Sequence, residues 1–230
     1  MPQPDQIPVY LEIGKKRTFA GAMDWPGWSR GGRDKSAALQ ALFEYGPRYA
    51  RVVRSARLGF QAPADDSLFR VVERLKGNAT TDFGAPGMAP ASDARPVNSE
   101  EFHRFEKLLK ACWRTFDANI KTAGGKTLRL GPRGGGRQLE GIVEHVLGSD
   151  AGYVNQLGWK FKVEATGALE RQLERTRRAI LDALTASARG EIPPKGPRGG
   201  LRWSPRYFVR RLAWHVLDHA WEIEDRIASE

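Results

Sequence analysis

Four segments with helical periodicity occupy the second half of the chain, and they restrict its fold more than any other feature. Each is about twenty residues long and carries its apolar residues on one face. Helices of this kind bury those faces most simply by packing together as a four-helix bundle. The sequence therefore predicts a bundle over residues 98–230. Its helices are expected at 98–120, 138–157, 166–188 and from 204 onward.

Capping signals mark where two of these helices begin. Asn98 and Glu101 have the spacing of a capping box. Ser204 followed by Pro205 suits an N-cap and a first helical position. The second and third helices are joined only by residues 158–167. A segment of about ten residues reaches at most about 30 Å, so a connection running the length of the bundle would be taut.

The first part of the chain has a different periodicity. Residues 9–23 predict a strand hairpin, and Asp34 suits the N-cap of an alanine-rich helix that follows. Residues 84–97 are rich in glycine, alanine and proline without periodicity, which is typical of a linker. We therefore expect an α+β protein with a small domain at 1–83, a linker at 84–97 and a helical domain at 98–230.

Composition favours a cytoplasmic protein. No apolar run approaches the roughly 18–20 residues of a membrane span, and the N-terminal segment lacks the pattern of a signal peptide. The single cysteine, Cys112, lies in an apolar helical pattern and predicts a buried, reduced thiol.

The formal net charge of +10 leaves two interpretations open. It could reflect affinity for nucleic acid or acidic ligands, or a generally basic solvated surface, because the excess is spread along the chain. Arg48, Arg51, Arg54 and Arg57 recur every third residue and form a stripe that would contact phosphate or solvent.

A second basic stretch, residues 194–211, precedes and enters the fourth helix. Arg202 and Arg206 lie near the start of that helix, where the helix dipole favours an anion. They are therefore candidate anion-binding residues, and a mobile loop is the alternative interpretation of the same stretch.

The histidines suggest a metal site. His215 and His219 are four residues apart, so both project from one face of the fourth helix. Two imidazoles on successive turns can hold one ion at ~2.0–2.1 Å when a third ligand comes from another helix. His145, near the middle of the second helix, is the candidate third ligand.

Glu222 follows His219 by three residues and shares its face. It could be a fourth ligand, a general base, or a partner that orients an imidazole. An ordinary surface charge paired with Arg226 is the alternative. Asp218 is expected to face outward, and His103 is expected on the surface.

Three glycines accompany His145 in the second helix: Gly141, Gly148 and Gly152. Each costs about 1 kcal/mol relative to alanine within a helix. Space beside a metal centre, a close helix contact or room for a ligand would offset that cost.

Residues 98–228 resemble the DinB superfamily of four-helix bundles. That family has one histidine in the second helix and a His-x-x-x-His pair in the fourth. Here His145 lies in EHVLGSDAGYV, and His215 and His219 lie in RRLAWHVLDHAWEIEDR. The resemblance implies a divalent metal, zinc or nickel, bound by these three histidines. It also implies a crossover connection between the second and third helices.

Members of that superfamily use low-molecular-weight thiols such as mycothiol or bacillithiol. The resemblance therefore implies a metal-dependent transferase, isomerase or hydrolase acting on a small-molecule substrate, and homodimer formation. Residues 8–58 also resemble the HicB antitoxin-type domain, with its hairpin, Asp24–Gly27 turn and alanine-rich helix. The alternative function is a non-enzymatic protein that binds a protein or nucleic acid through this N-terminal domain.

Overall fold

The computed structural model describes residues 6–131, 136–164 and 167–227. It is an α+β structure in which a four-stranded sheet precedes a series of helices. Within the described ranges, no helix combines the length and the apolar character needed to span a bilayer. In chain order the elements are β1 Ile7–Ile13, β2 Thr18–Ala22, β3 Ser29–Gly32, α1 Lys35–Glu44, α2 Gly46–Arg54, β4 Phe69–Lys76, α3 Ala79–Phe83, α4 Ser99–Ala123, α5 Leu139–Leu157, α6 Leu169–Ala188 and α7 Pro205–Arg226.

The strands are ordered β3-β2-β1-β4, with β1 antiparallel to β2 and parallel to β4. Both faces of the sheet are covered. The face that carries Tyr10 and Phe19 is turned toward α7, where the ring of Phe19 lies 6.1 Å from that of Trp214 in an edge-to-face contact. The opposite face packs on α1. Because β1 is covered on both sides, its central residues are buried whichever way they point.

The predicted helix starts are confirmed. The Asp34 carboxylate accepts a hydrogen bond from the amide of Ala37 at the start of α1. Asn98 and Glu101 form the expected capping box at α4. Ser204 caps α7 and Pro205 occupies its first position. Helix α6 begins at Leu169 rather than at 166, a position outside the described residues.

Helices α4 and α7 run in the same direction. Near their starts, Arg206 donates to the Glu101 carboxylate at 2.6 Å. Toward their ends, the Asn119 side-chain amide donates to the Ala220 carbonyl at 2.7 Å. These two contacts, far apart along both helices, fix the relative direction.

Helices α5 and α6 run opposite to that pair. The end of α5 meets the start of α7, where the Trp203 amide donates to the Gln156 carbonyl at 3.0 Å. The end of α6 meets the start of α4, where Thr185 and Phe102 line one cavity. The two helices are therefore parallel to each other, so the end of α5 and the start of α6 lie at opposite ends of the pair. After α5, the backbone of Phe161 makes two hydrogen bonds to the side chain of Asn155.

One continuous hydrophobic core extends from the sheet into the long helices. Cys112 lies within it, and burial raises the pKa of its thiol to about 12, so the thiol stays protonated and unreactive at neutral pH. Large side chains buried to less than 2% exposure come from both parts of the chain and include Trp28, Phe116, Phe208 and Trp221.

Residues 84–97, predicted to be a linker, make specific contacts with both parts of the protein. The buried Glu12 carboxylate accepts hydrogen bonds from the amides of Gly87 and Met88 at 2.8 and 3.1 Å, and one from the Thr81 hydroxyl. The segment also contains a 3-10 helix at Ala91–Ala94. The division at 84–97 stays a prediction about independent folding, but the segment itself is packed against the sheet.

A buried ion pair anchors the same segment to α7. The guanidinium of Arg210 donates to both carboxylate oxygens of Asp93, at 2.7 and 2.8 Å. It also donates to the carbonyls of Ala22 and Met23 at 2.8 and 3.0 Å. Because Asp93 is 2% exposed and Arg210 7%, the pair is shielded from water and joins sheet, segment and helix.

Candidate metal centre

The structure brings His145 of α5 together with His215 and His219 of α7. One ring nitrogen from each lies within 4.8 Å of the other two. Nε2 of His145 and Nε2 of His215 are 3.3 Å apart. The antiparallel packing of α5 against α7 produces this cluster, because it sets the middle of one helix against the middle of the other.

The spacing of these nitrogens fits a shared ion. Two nitrogens bound tetrahedrally at ~2.0–2.1 Å are about 3.3 Å apart, and the Nε2–Nε2 distance between His145 and His215 is 3.3 Å. His215 is buried, whereas His145 and His219 are partly exposed. The cluster therefore has a protected inner side and an outer side open to solvent.

Burial also keeps two of the imidazoles neutral. Burial lowers the pKa of His145 and lowers that of His215 well below its ordinary range, and the charge of His219 acts in the same direction on both. A neutral imidazole has a free lone pair, which is the form that binds a metal.

The Glu222 carboxylate contacts both His219 and Arg226. Its Oε2 lies 2.7 Å from Nδ1 of His219, and its Oε1 accepts a hydrogen bond from Arg226 at 2.6 Å. Burial disfavours the charged carboxylate, but the bonds and charges of His219 and Arg226 outweigh it and lower the pKa of Glu222. With Nδ1 engaged by the carboxylate, Nε2 of His219 is left for the cluster.

Asp150 is a site residue that the sequence interpretation missed. It is buried on α5, and its Oδ1 lies 4.0 Å from Nδ1 of His215. Both atoms are buried and lack a hydrogen-bond partner among the described residues. Burial raises the pKa of Asp150 to about 8. The available signal was a lone carboxylate among the apolar positions of its helix face: Val146, Leu147, Ala151 and Val154.

The glycines of α5 leave open space beside the histidines. A Cβ placed on Gly148 or Gly152 would have no heavy atom within 4 Å, and both residues are exposed. On Gly141 it would meet only the side chain of Arg137, at 3.3 Å. None of the three glycines makes a close helix contact, which leaves space beside a metal centre or room for a ligand as the explanations.

Two further side chains considered in the sequence, Asp218 and His103, lie outside the cluster. Asp218 forms a partly exposed ion pair with Arg30 of β3 at 2.9 Å, which links the sheet to α7. His103 is exposed on α4, with its nearest carboxylate, Glu106, at 3.9 Å. His103 is on the surface, as expected, whereas Asp218 was expected to face outward and instead contacts the sheet.

The arginines proposed as an anion site are engaged in protein contacts. Arg206 donates to the carbonyls of Arg95 and Pro96 and to the Glu101 carboxylate. Arg202 donates to the Pro193 carbonyl at 3.0 Å. Anion binding at these two residues stays a prediction, with most donors of Arg206 already used.

The basic stripe on α2 is partly neutralised by the other part of the chain. Arg48 donates to the carboxylates of Glu224 and Asp225 at 2.8 and 2.7 Å. Arg51 lies 3.6 Å from Glu224. Arg48 and Arg51 therefore have carboxylate neighbours within the protein, and phosphate contact along the stripe stays a prediction.

Fold and site together define an α+β protein with a partly buried cluster of three histidines flanked by two carboxylates. No family model matches the chain, and no curated protein and no solved structure matches it. What the protein does must therefore be inferred from its own side chains.

Proposed function

We propose that the protein is a metal-dependent enzyme whose long helices form a DinB-like bundle, with His145, His215 and His219 binding one divalent cation, zinc or nickel. The observation that carries this proposal is the convergence of three ring nitrogens within 4.8 Å. Imidazole nitrogen suits both metals. An accidental histidine pair on one helix would not require a third imidazole from an antiparallel neighbour.

The number of ligands favours catalysis over a structural role. Structural zinc sites are closed by four protein ligands, whereas catalytic sites use three and keep a position for water or substrate. Among the described residues, no fourth histidine or cysteine joins the cluster. When bound in such a site, the metal lowers the pKa of a water or thiol and so supplies a nucleophile at neutral pH.

The neighbouring carboxylates would hold the ligands in position. Glu222 accepts the Nδ1 proton of His219, which fixes that tautomer and directs Nε2 toward the metal. Asp150 faces Nδ1 of His215 from 4.0 Å. A bound cation would favour the ionised form of this carboxyl and a hydrogen bond from that nitrogen. Carboxylate partners of this kind orient the imidazole and raise its basicity.

The reaction class proposed is transfer or hydrolysis with a small thiol as co-substrate, as the DinB resemblance implies. Support comes from the open space at Gly148 and Gly152, which gives a ligand access beside His145. Residues 1–83 are proposed as a HicB-like accessory domain. Their sheet order and the capped helix α1 support that likeness.

Metal analysis of the purified protein tests this proposal. The wild type is expected to carry about one zinc or nickel ion per chain, and His145→Ala, His215→Ala and His219→Ala to lose it. His103→Ala is the matched control, because that histidine is exposed on α4 away from the cluster. Metal retained in all three cluster variants, or absent from the wild type after purification in zinc or nickel, would contradict the proposal.

A further inference from the structure

We propose that the substrate carries a carboxylate, and that Arg211 binds it beside the histidine cluster. This inference rests on the proposed metal site, and it adds the chemical class of the ligand. Arg211 lies on α7 one helical turn before His215.

Within the described part of the chain, Arg211 forms no ion pair, and its buried Nη1 has no hydrogen-bond partner. The preceding residue, Arg210, uses its guanidinium on Asp93 and two carbonyls. A buried, unpartnered donor on a charged group is costly, so it indicates a partner that the protein itself does not provide.

Aromatic rings hold the guanidinium in place. Its Cζ lies 4.7 Å from the ring centroid of Trp214 and 5.4 Å from that of Tyr153. Contacts with aromatic faces stabilise the cation without using its in-plane N–H donors. The Tyr153 hydroxyl lies near enough to engage one of the five donors and leaves the others free. The fork is therefore positioned and still able to bind a planar carboxylate through two parallel hydrogen bonds.

The same surroundings connect Arg211 to the metal cluster. The ring of Tyr153 lies 5.5 Å from that of His215, so one tyrosine borders both residues. Since α5 and α7 are antiparallel, positions after His145 face positions before His215. On an ideal helix Gly152 projects within about 20° of His145, and Gly152 has open space around it. Arg211 and the histidines therefore border a common strip of surface.

A carboxylate suits this strip better than a phosphate group. Arg211 offers a single positive charge, and the donors of Arg206 on the same helix are taken up by carbonyls and by Glu101. One guanidinium matches one carboxylate through two parallel hydrogen bonds, whereas a phosphate site usually combines several cationic or backbone N–H donors. The reacting group would lie a few bonds from the carboxylate, within reach of the cluster.

The test uses the full-length protein loaded with cobalt(II), whose absorption reports thiolate binding. The probes are 3-mercaptopropionate and its neutral amide, which differ only in the carboxylate. The wild type is expected to bind the acid on the order of tenfold more tightly than the amide, as charge-assisted hydrogen bonds allow. Arg211→Gln should abolish this preference, and Arg178→Gln, an exposed change on α6, should keep it.

The outcomes separate this inference from the metal proposal. A wild type that does not bind cobalt through the histidines overturns both. A wild type that binds cobalt and shows no preference for the acid overturns the role of Arg211 alone, and so does an Arg211→Gln variant that keeps the preference. If circular dichroism shows that Arg211→Gln is misfolded, Arg211→Lys is measured instead. Lysine keeps the charge but lacks the paired N–H donors of the guanidinium, so the preference for the acid over the amide should fall. An unchanged preference in this variant counts against the proposal.

Discussion

Nδ1 of His219 and Oε2 of Glu222 are 2.7 Å apart, on consecutive turns of the same helix. The carboxylate thereby holds the imidazole in one orientation, and Arg226 holds the carboxylate from its other side. Glu222 therefore positions the imidazole of His219, which is one of the proposed metal ligands.

Removing this carboxylate should weaken metal binding without abolishing it. Glu222→Ala is expected to lower metal affinity about 10–100-fold, because His219 loses the partner that fixes its tautomer. Glu222→Gln, which keeps an acceptor oxygen, should have a smaller effect. Competition against a chromophoric chelator measures both. Glu174→Ala, an exposed change on α6, serves as control, and equal affinities in all four proteins would argue against the positioning role.

The raised pKa of Asp150 predicts a pH-dependent stability in the metal-free protein. The folded chain keeps this proton up to about pH 8, whereas the unfolded chain releases it near the ordinary pKa of an aspartate, 3.8. Between these values the folded state binds more protons, so its stability falls as pH rises, by up to about 1.4 kcal/mol per pH unit.

Asp150→Asn, which cannot titrate, isolates that effect. Urea unfolding with chelator present, repeated between about pH 5 and about pH 7.5, should show the wild type losing stability relative to the variant as pH rises. The histidines are common to both proteins, so their titration largely cancels. Parallel stability curves would show that Asp150 ionises normally in the folded state.

Breaking the buried Asp93–Arg210 pair should strongly destabilise the protein. Asp93→Ala leaves the Arg210 guanidinium buried without its carboxylate, and one broken partner of this kind costs about 3–5 kcal/mol. Asp117→Ala is the contrasting control, because its pair with Arg177 is partly exposed and such pairs contribute about 0–1 kcal/mol. Denaturant unfolding of both variants makes the comparison, and equal losses would contradict it.

Metal removal should lower the thermal stability of the wild type. A ligand that binds only the folded state contributes about 2.7 kcal/mol at 100 times its dissociation constant. Calorimetry with and without chelator should therefore show a lower melting temperature for the stripped protein. His215→Ala should melt at the same temperature in both conditions, and a chelator effect that persists in this variant would place the metal elsewhere.

Local signals in the sequence predicted much of the helical part. Periodicity located the long helices, and the caps at Asn98 and Ser204 have the geometry that their side chains indicated. The i, i+4 spacing of His215 and His219 placed both on one face, since a helix fixes such relations over a single turn. Convergence with His145 was proposed partly by resemblance, because spacing within one helix says nothing about its neighbour.

Contacts between residues far apart in the sequence could not be predicted from these local signals. Residues 84–97 have a linker composition, yet Glu12 and Arg210 bind them across separations of 75 and 117 residues. Asp150 was missed for a related reason, and Arg211 was included only as the last residue of the basic stretch 194–211. Each is an ordinary charged residue in a helix, and its significance arises only from the partners that it lacks after folding.

Helix α7 serves two surfaces at once. It presents His215 and His219 to α5, while Trp214 contacts Phe19 of the sheet and Arg210 reaches the carbonyl of Ala22. Replacing the N-terminal sheet by an unrelated domain would therefore remove contacts that hold α7, the helix that carries His215 and His219. We expect substitutions in the sheet and in α7 to be correlated among relatives. The sheet would then constrain the evolution of the histidine site, although the three histidines all lie on α5 and α7.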